Sequence, residues 1–228
     1  MKLNGISLNA KDEVIDLNDV IGDEHISTSM DTPMRPDAFE LSNEEKKKEI
    51  AFHFKKIMET MGLDLTDDSL KGTPDRVAKM YVEEVFSGLD PKNKPHVALF
   101  ENKYRYNEML VERDITLKSF CEHHFVPIIG RAHVAYISNG HVIGLSKINR
   151  IVQYFAKRPQ VQERLTVQIA EELKKVLKTE DVAVIIDAKH MCVSLRGIED
   201  DTSSTVTSSY SGAFKKESVR KEFLTYIG

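Results

Sequence analysis

The chain has 228 residues, 41% hydrophobic and 30% charged, with 32 basic against 36 acidic side chains and a net charge of −4. That length suits one substantial domain with its own core. The composition excludes a membrane span, since no apolar run is long enough, and no lysine or arginine block forms a nucleic-acid footprint. The N-terminus has no positive cluster followed by an apolar stretch, so nothing directs export, and two cysteines cannot build a disulfide framework. Cytoplasm is the expected compartment, and reduced thiols there suit a metal site.

Residues 1–40 are polar and irregular, with prolines at Pro33 and Pro36, and read as a mobile arm. Residues 41–108 read as an N-terminal helical region. Ser42-Asn43-Glu44-Glu45 is a capping-box sequence; Ile50, Phe54, Ile57 and Met61 follow at helical spacing, and Gly62 closes the helix. Thr73-Pro74 opens a second helix with threonine as its cap, bearing Val77, Tyr81 and Val85 on one side up to Gly88. Arg76 and Lys79, three apart, share a face of it. By spacing alone they are a solvated basic edge.

Residues 109–228 read as the catalytic domain. Met109–Lys118 alternates as a strand and runs into Ser119-Phe120-Cys121-Glu122-His123-His124-Phe125. Ile128–Ser138 alternates again, and Asn139-Gly140 is a hairpin turn before His141-Val142-Ile143. Ser146 can cap the next helix, which buries Ile148, Ile151, Val152 and Phe155 and stops near Pro159. A further helix from Val161 to Lys178 sets Leu165, Ile169, Leu173 and Leu177 on one stripe. Val182–Ala188 is a strand, the chain continues extended through Cys192 to Arg196, Thr202–Ser211 is a further strand, and Lys216–Ile227 is a helix. The order strand, strand, helix, helix, strand, strand is an α+β pattern, an antiparallel sheet with helices on one face.

The chemistry concentrates at two places. Cys121 and His124 have a short chelating spacing, and thiolate and imidazole are donors that zinc prefers. The other cysteine, Cys192, again stands beside a histidine, His190. A free cysteine often only packs, but here each of the two cysteines lies within three positions of a histidine, which favours a metal. On an extended segment His190 and Cys192 would face one site together. Spacing does not say which of His123 and His124 is the ligand; the other is left for proton transfer. Three ligands, water and unligated histidines are equipment for hydrolytic attack on an electrophilic carbon. Lys147 and Arg150 at a helix start, with Arg196 four positions after Cys192, could form an anion site. Glu163 reads either as a helix N-terminal carboxylate or as an acceptor for a purine or pterin edge.

The strings Cys121-Glu122-His123-His124, Val142-Ile143-Gly144-Leu145-Ser146-Lys147-Ile148-Asn149-Arg150, Arg158-Pro159-Gln160-Val161-Gln162-Glu163-Arg164-Leu165 and His190-Met191-Cys192-Val193-Ser194-Leu195-Arg196-Gly197 resemble GTP cyclohydrolase I in order and spacing, as does Thr73-Pro74-Asp75-Arg76-Val77-Ala78-Lys79-Met80. The resemblance runs from about Ser42 to the C-terminus. It implies a tunnelling fold, with subunit sheets joined into pentameric barrels that stack in pairs as a decamer. It implies a zinc ion on Cys121, His124 and Cys192, with His123 as the free acid-base histidine and His190 as a second catalytic histidine beside the purine. Glu163 would hold the guanine edge, with Gln162 next to it. Ser146, Lys147, Arg150 and Arg196 would bind the triphosphate, with Arg76 and Lys79 from a neighbouring subunit. The implied reaction is attack of zinc-activated water on C8 of GTP, ring opening, loss of formate, and closure to 7,8-dihydroneopterin triphosphate, the entry to folate or tetrahydrobiopterin synthesis. A zinc deaminase is the rival enzyme class, but its His-x-Glu and Cys-x-x-Cys signature is missing. The non-enzyme rival is a tunnelling-fold purine- or pterin-binding scaffold that keeps zinc structurally, with four protein ligands.

Overall fold

The computed structural model describes residues 29–228, and residues 31–228 form one compact unit. The first 28 positions of the expected arm lie outside the described residues. Helix α1 (Asn43–Thr60) starts on the capping box read from the sequence: Glu45 N–H donates to Ser42 Oγ, and Ser42 N–H donates to the Glu45 carboxylate. Its buried side chain is Met58, while Ile57 and Met61 of the expected apolar face are 52% and 62% exposed. The rest of that face borders an apolar groove with Met34, Phe39, Tyr81, Phe86 and Phe125.

A short α2 (Asp68–Lys71) leads into α3 (Thr73–Lys79). Gly72, not Thr73, is the cap of α3, and the helix widens into a π-turn over Met80–Val85 that ends at Phe86, before Gly88. Gly88 has a different task. Its N–H donates to Lys157 O and its carbonyl accepts from Arg158 Nε, and a Cβ there would overlap the Tyr154 carbonyl oxygen. Only glycine permits this close docking of two backbones.

The sheet is built from β2 (Met109–Cys121), β3 (Pro127–Ile137), β5 (Pro159–Gln160), β6 (Val182–His190) and β7 (Thr205–Tyr210), in the order β5-β2-β3-β6-β7. All pairings are antiparallel except β2 with β5. The turn at Asn139-Gly140 does not fold β4 (His141–Ile143) back onto β3. It sends β4 against β1 (Leu99–Glu101) in a separate two-stranded ribbon, with Asn102 N–H donating to Gly140 O.

Helices α4 (Leu145–Ala156) and α5 (Gln162–Leu177) cover one face. Ile148, Ile151, Val152, Leu165, Ile169, Leu173 and Leu177 are buried against Leu117, Ile128, Val134, Tyr136, Val184 and Ile186, as the helical spacing predicts. Each such side chain contributes about 1.5–3 kcal/mol relative to exposure. Ser146 does not cap α4. Gly144 precedes the helix without a side-chain cap and accepts from Lys147 N–H, leaving Ser146 inside the first turn. The expectation of helices on one face holds for α4 and α5 only. The C-terminal α7 (Glu217–Ile227) and the turn before it put Phe223 and Phe214 on the opposite face, over Met109, Ala135, Ala183 and Ile185. Residues Val182 to Ile186 are therefore buried on both sides, and their unbroken apolar run follows from that.

On that second face β2 carries a bulge between Glu112 and Ile115, with Asp114 at φ +59. Asp114 N–H donates to His133 Nδ1 at 3.2 Å, and Arg131 Nη1 donates to Asp114 Oδ1 at 2.9 Å. An accepting Nδ1 requires a neutral ring. Burial pushes the His133 pKa below the ordinary histidine value, against the pull of Asp114 and Asp187. Between that lowered value and about 6.5 the unfolded chain binds more protons than the folded one, so stability falls as pH is lowered through the window. Urea denaturation at pH 7.5 and 5.5 is expected to show that loss, and His133→Gln to reduce it. Equal pH dependence in wild type and variant would remove His133 from the effect.

Candidate metal centre and active site

Cys121 ends β2, and Glu122, His123, His124, Phe125 and Val126 form the tight connection to β3. Phe120 pairs with Pro127, Cys121 N–H donates to Val126 O, and Phe125, at φ +54, closes the turn onto Cys121 O. Cys121 also pairs with Gln160 of β5, while Ile128 on β3 pairs with His190 at the end of β6. One end of the sheet thus gathers the turn, the start of α5 and the end of β6.

Beyond His190 the chain does not stay extended. It makes a single helical turn, α6 (Met191–Ser194). Cys192 lies on that turn, with its sulfur beside Cys121 and His124. The donor atoms of Cys121, His124 and Cys192 lie within 4.8 Å of one another, with Cys121 Sγ 3.9 Å from His124 Nδ1. Burial, with Cys121 alongside adding to it, pushes the Cys192 thiol up to about 11. Two thiolates with an imidazole are a zinc donor set. The residues fit that metal.

His123 is exposed and points elsewhere: its ring stands 6.3 Å from that of His124 at 87°, and its Nε2 is 3.9 Å from Glu122 Oε1. His190 is held by Gln162, whose Oε1 is 2.8 Å from His190 Nε2. The amide orientation is dictated by its other neighbours. Gln162 Nε2 donates to the carbonyls of Ile186 and Thr205 and to Thr207 Oγ1, and carbonyls only accept. His190 therefore carries its proton on Nε2 and its lone pair on Nδ1. Burial holds its pKa below the ordinary value, opposed by Glu163. Gln162 was expected at the substrate. It is 1% exposed, and its amide contacts β6, β7 and His190. Glu163, next in the first turn of α5, is exposed.

The expected cations are dispersed in one chain. Arg196 Nη1 lies 3.0 Å from His124 Nε2, at the metal cluster. Lys147 donates to His96 O, and Arg150 lines a cavity of about 340 Å³ with Ser87, Asn93 and Lys157. Ser146 is exposed at the start of α4. Arg76 and Lys79 lie on α3, where Arg76 donates to Ser69 O and Thr73 Oγ1. Sequence reasoning also passed over Arg164, which grips Glu122 from the first turn of α5. Its place between two site residues and a helical stripe carried no spacing signal of a partner 42 positions away.

No helix among the described residues is long and apolar enough to cross a membrane. The sequence profile of GTP cyclohydrolase I matches residues 50–228. A GTP cyclohydrolase 1 from Flavobacterium johnsoniae is 60% identical over 212 residues, 93% of this chain and 95% of its own. One from Salmonella gallinarum is 56% identical over 209 residues, 91% of this chain and 94% of its own.

Proposed function

Since the chain belongs to the GTP cyclohydrolase I family, we propose that it converts GTP and water to 7,8-dihydroneopterin triphosphate and formate with one zinc ion held by Cys121, His124 and Cys192. The observation that carries the metal assignment is the convergence of three donors from two distant segments within 4.8 Å. Three protein ligands leave a coordination position for water. When bound, zinc supplies a Lewis acid that makes water a nucleophile at neutral pH, for attack at C8 of the guanine ring.

The proton transfers fall to the chain's own side chains. His123, unligated and beside Glu122, shuttles protons as water adds and the imidazole ring opens. His190 keeps one proton on Nε2 against Gln162, so Nδ1 is the atom that takes or returns a proton beside the purine. Glu163 accepts the paired N–H groups of the guanine edge. Gln162 serves through His190. Arg196, Ser146, Lys147 and Arg150 bind the triphosphate, with Arg76 and Lys79 reaching in from a neighbouring copy; Lys147 gives up the His96 carbonyl to do so. Release of formate and rearrangement of the ribose then allow ring closure, the first step of folate or tetrahydrobiopterin synthesis.

In this reading residues 109–228 are a tunnelling-fold catalytic domain, 41–108 a helical region and 1–40 an arm, in a cytoplasmic decamer of two stacked pentamers. The exposure of His123 and His124 on one chain, and the edge position of β7 with Thr205, Val206 and Ser208 exposed, support a site completed by a neighbour across joined sheet edges.

The test is to incubate zinc-replete protein with GTP and follow formate alongside the dihydropterin chromophore. Equal amounts of both are expected. Formate without pterin would mean ring opening uncoupled from closure. Neither, with zinc confirmed bound, would overturn the enzyme reading in favour of a zinc-keeping scaffold.

A further inference from the structure

Arg164 is 7% exposed, and a guanidinium is buried to that degree only when its charge is answered. It grips Glu122 with both prongs: Nη1 lies 2.5 Å from Oε2 and Nη2 3.2 Å from Oε1. This fork-to-carboxylate geometry belongs to arginine and not to lysine. The side chains are 5% and 19% exposed, the arginine being the deeper, so the glutamate is held from inside the fold.

Glu122 sits in the turn that delivers two of the three converging donors, between Cys121 and His123. Its backbone is tied on the same side, N–H to Gln160 O at 3.0 Å, where β5 pairs with Cys121. Strand β5 therefore holds the path of the turn, and Arg164 in the first turn of α5 holds its central side chain. The Oε1 that accepts from Arg164 Nη2 also lies 3.9 Å from His123 Nε2. A shift of Glu122 would be felt at the ligand on one side and at the unligated histidine on the other.

We propose that Arg164 is a positioning residue for the metal centre: acting through Glu122, it fixes the Cys121–His124 turn in the shape that accepts the ion. This rests on the reading of Cys121, His124 and Cys192 as its ligands. Partners one step behind metal ligands typically account for ten- to a hundredfold in affinity, because they remove the freedom of the donors before the ion arrives.

The experiment loads purified metal-free full-length chain with zinc(II) or cobalt(II) in competition with a chromophoric chelator. The cobalt absorption spectrum is the second readout, and circular-dichroism melting checks the fold. Arg164→Met is expected to weaken both metals by about ten- to a hundredfold and to alter the cobalt bands. Arg164→Lys, which keeps a buried charge for Glu122 but not the fork, is expected to fold and to recover only part of that loss. Glu122→Gln should weaken binding comparably, and adding it to Arg164→Met should cost little more, since the pair acts as a unit. If Arg164→Met does not fold, Arg164→Lys decides. Wild-type affinity together with a wild-type cobalt spectrum in a folded Arg164 variant would overturn the positioning role. A wild-type chain that binds neither metal would overturn the ligand assignment itself, a result distinguishable from loss confined to the variants.

Discussion

Cys192→Ser is expected to lose zinc and turnover together, with metal content falling to a small fraction of one ion per chain and GTP turnover dropping by about a thousandfold or more, because the group that makes water a nucleophile at neutral pH is gone. Cys192 packs against the edge of the core, and its geometry also supports the proposed donor role. It stands on a single helical turn at the end of β6, within 4.8 Å of the other two donor atoms. Its thiol is pushed up to about 11, first by burial and then by Cys121. Such a pair ionises when a cation arrives, so metal uptake should release protons and strengthen as pH rises. A serine hydroxyl stays neutral there and leaves two donors where three are needed. The checks are atomic absorption on the purified chain, proton release on zinc addition, and formate production from GTP. A folded Cys192→Ser protein with full zinc and normal turnover would remove Cys192 from the site, and Cys121→Ser is held to the same standard.

Much of this site was readable from the chain because its parts obey local rules. Leu165, Ile169, Leu173 and Leu177 recur at helical period and are all buried; the capping box at Ser42 is a four-residue pattern and forms as such. Cys121 and His124 are three apart on one turn. What escaped depends on neighbours distant in sequence. The helical turn at Met191–Ser194 has no periodic signal in four residues, so the sequence extends the strand through Cys192 where the chain turns helical after His190. Gln162 read as a substrate contact by its place beside Glu163. Its burial under β6 and β7, with its amide on Ile186, Thr205 and Thr207, is a property of the packed sheet. Arg164 and Glu122 are an ordinary pair of surface-type residues until the fold brings α5 against the turn. Ile57 and Met61 show the converse: an apolar spacing that predicts a buried face, on a helix whose face one chain leaves partly open.

The proposed reading divides the work between the adjacent histidines, and single substitutions should separate them. His123→Ala is expected to keep one zinc per chain while turnover falls by about a hundred- to ten-thousandfold, the usual worth of a positioned acid-base group. His124→Ala is expected to lose the metal. His124 Nδ1 lies 3.9 Å from Cys121 Sγ, whereas His123 Nε2 lies 3.9 Å from Glu122 Oε1 and the two rings stand 6.3 Å apart with their planes at 87°. Removing His123 takes away an exposed ring that is not among the three converging donors. GTP binding should change little, so the loss belongs in kcat and not in KM. Zinc content, kcat and KM measured on both variants decide the matter. Zinc lost with His123→Ala and retained with His124→Ala would reverse the two roles, and with them the direction from which the proton reaches the purine.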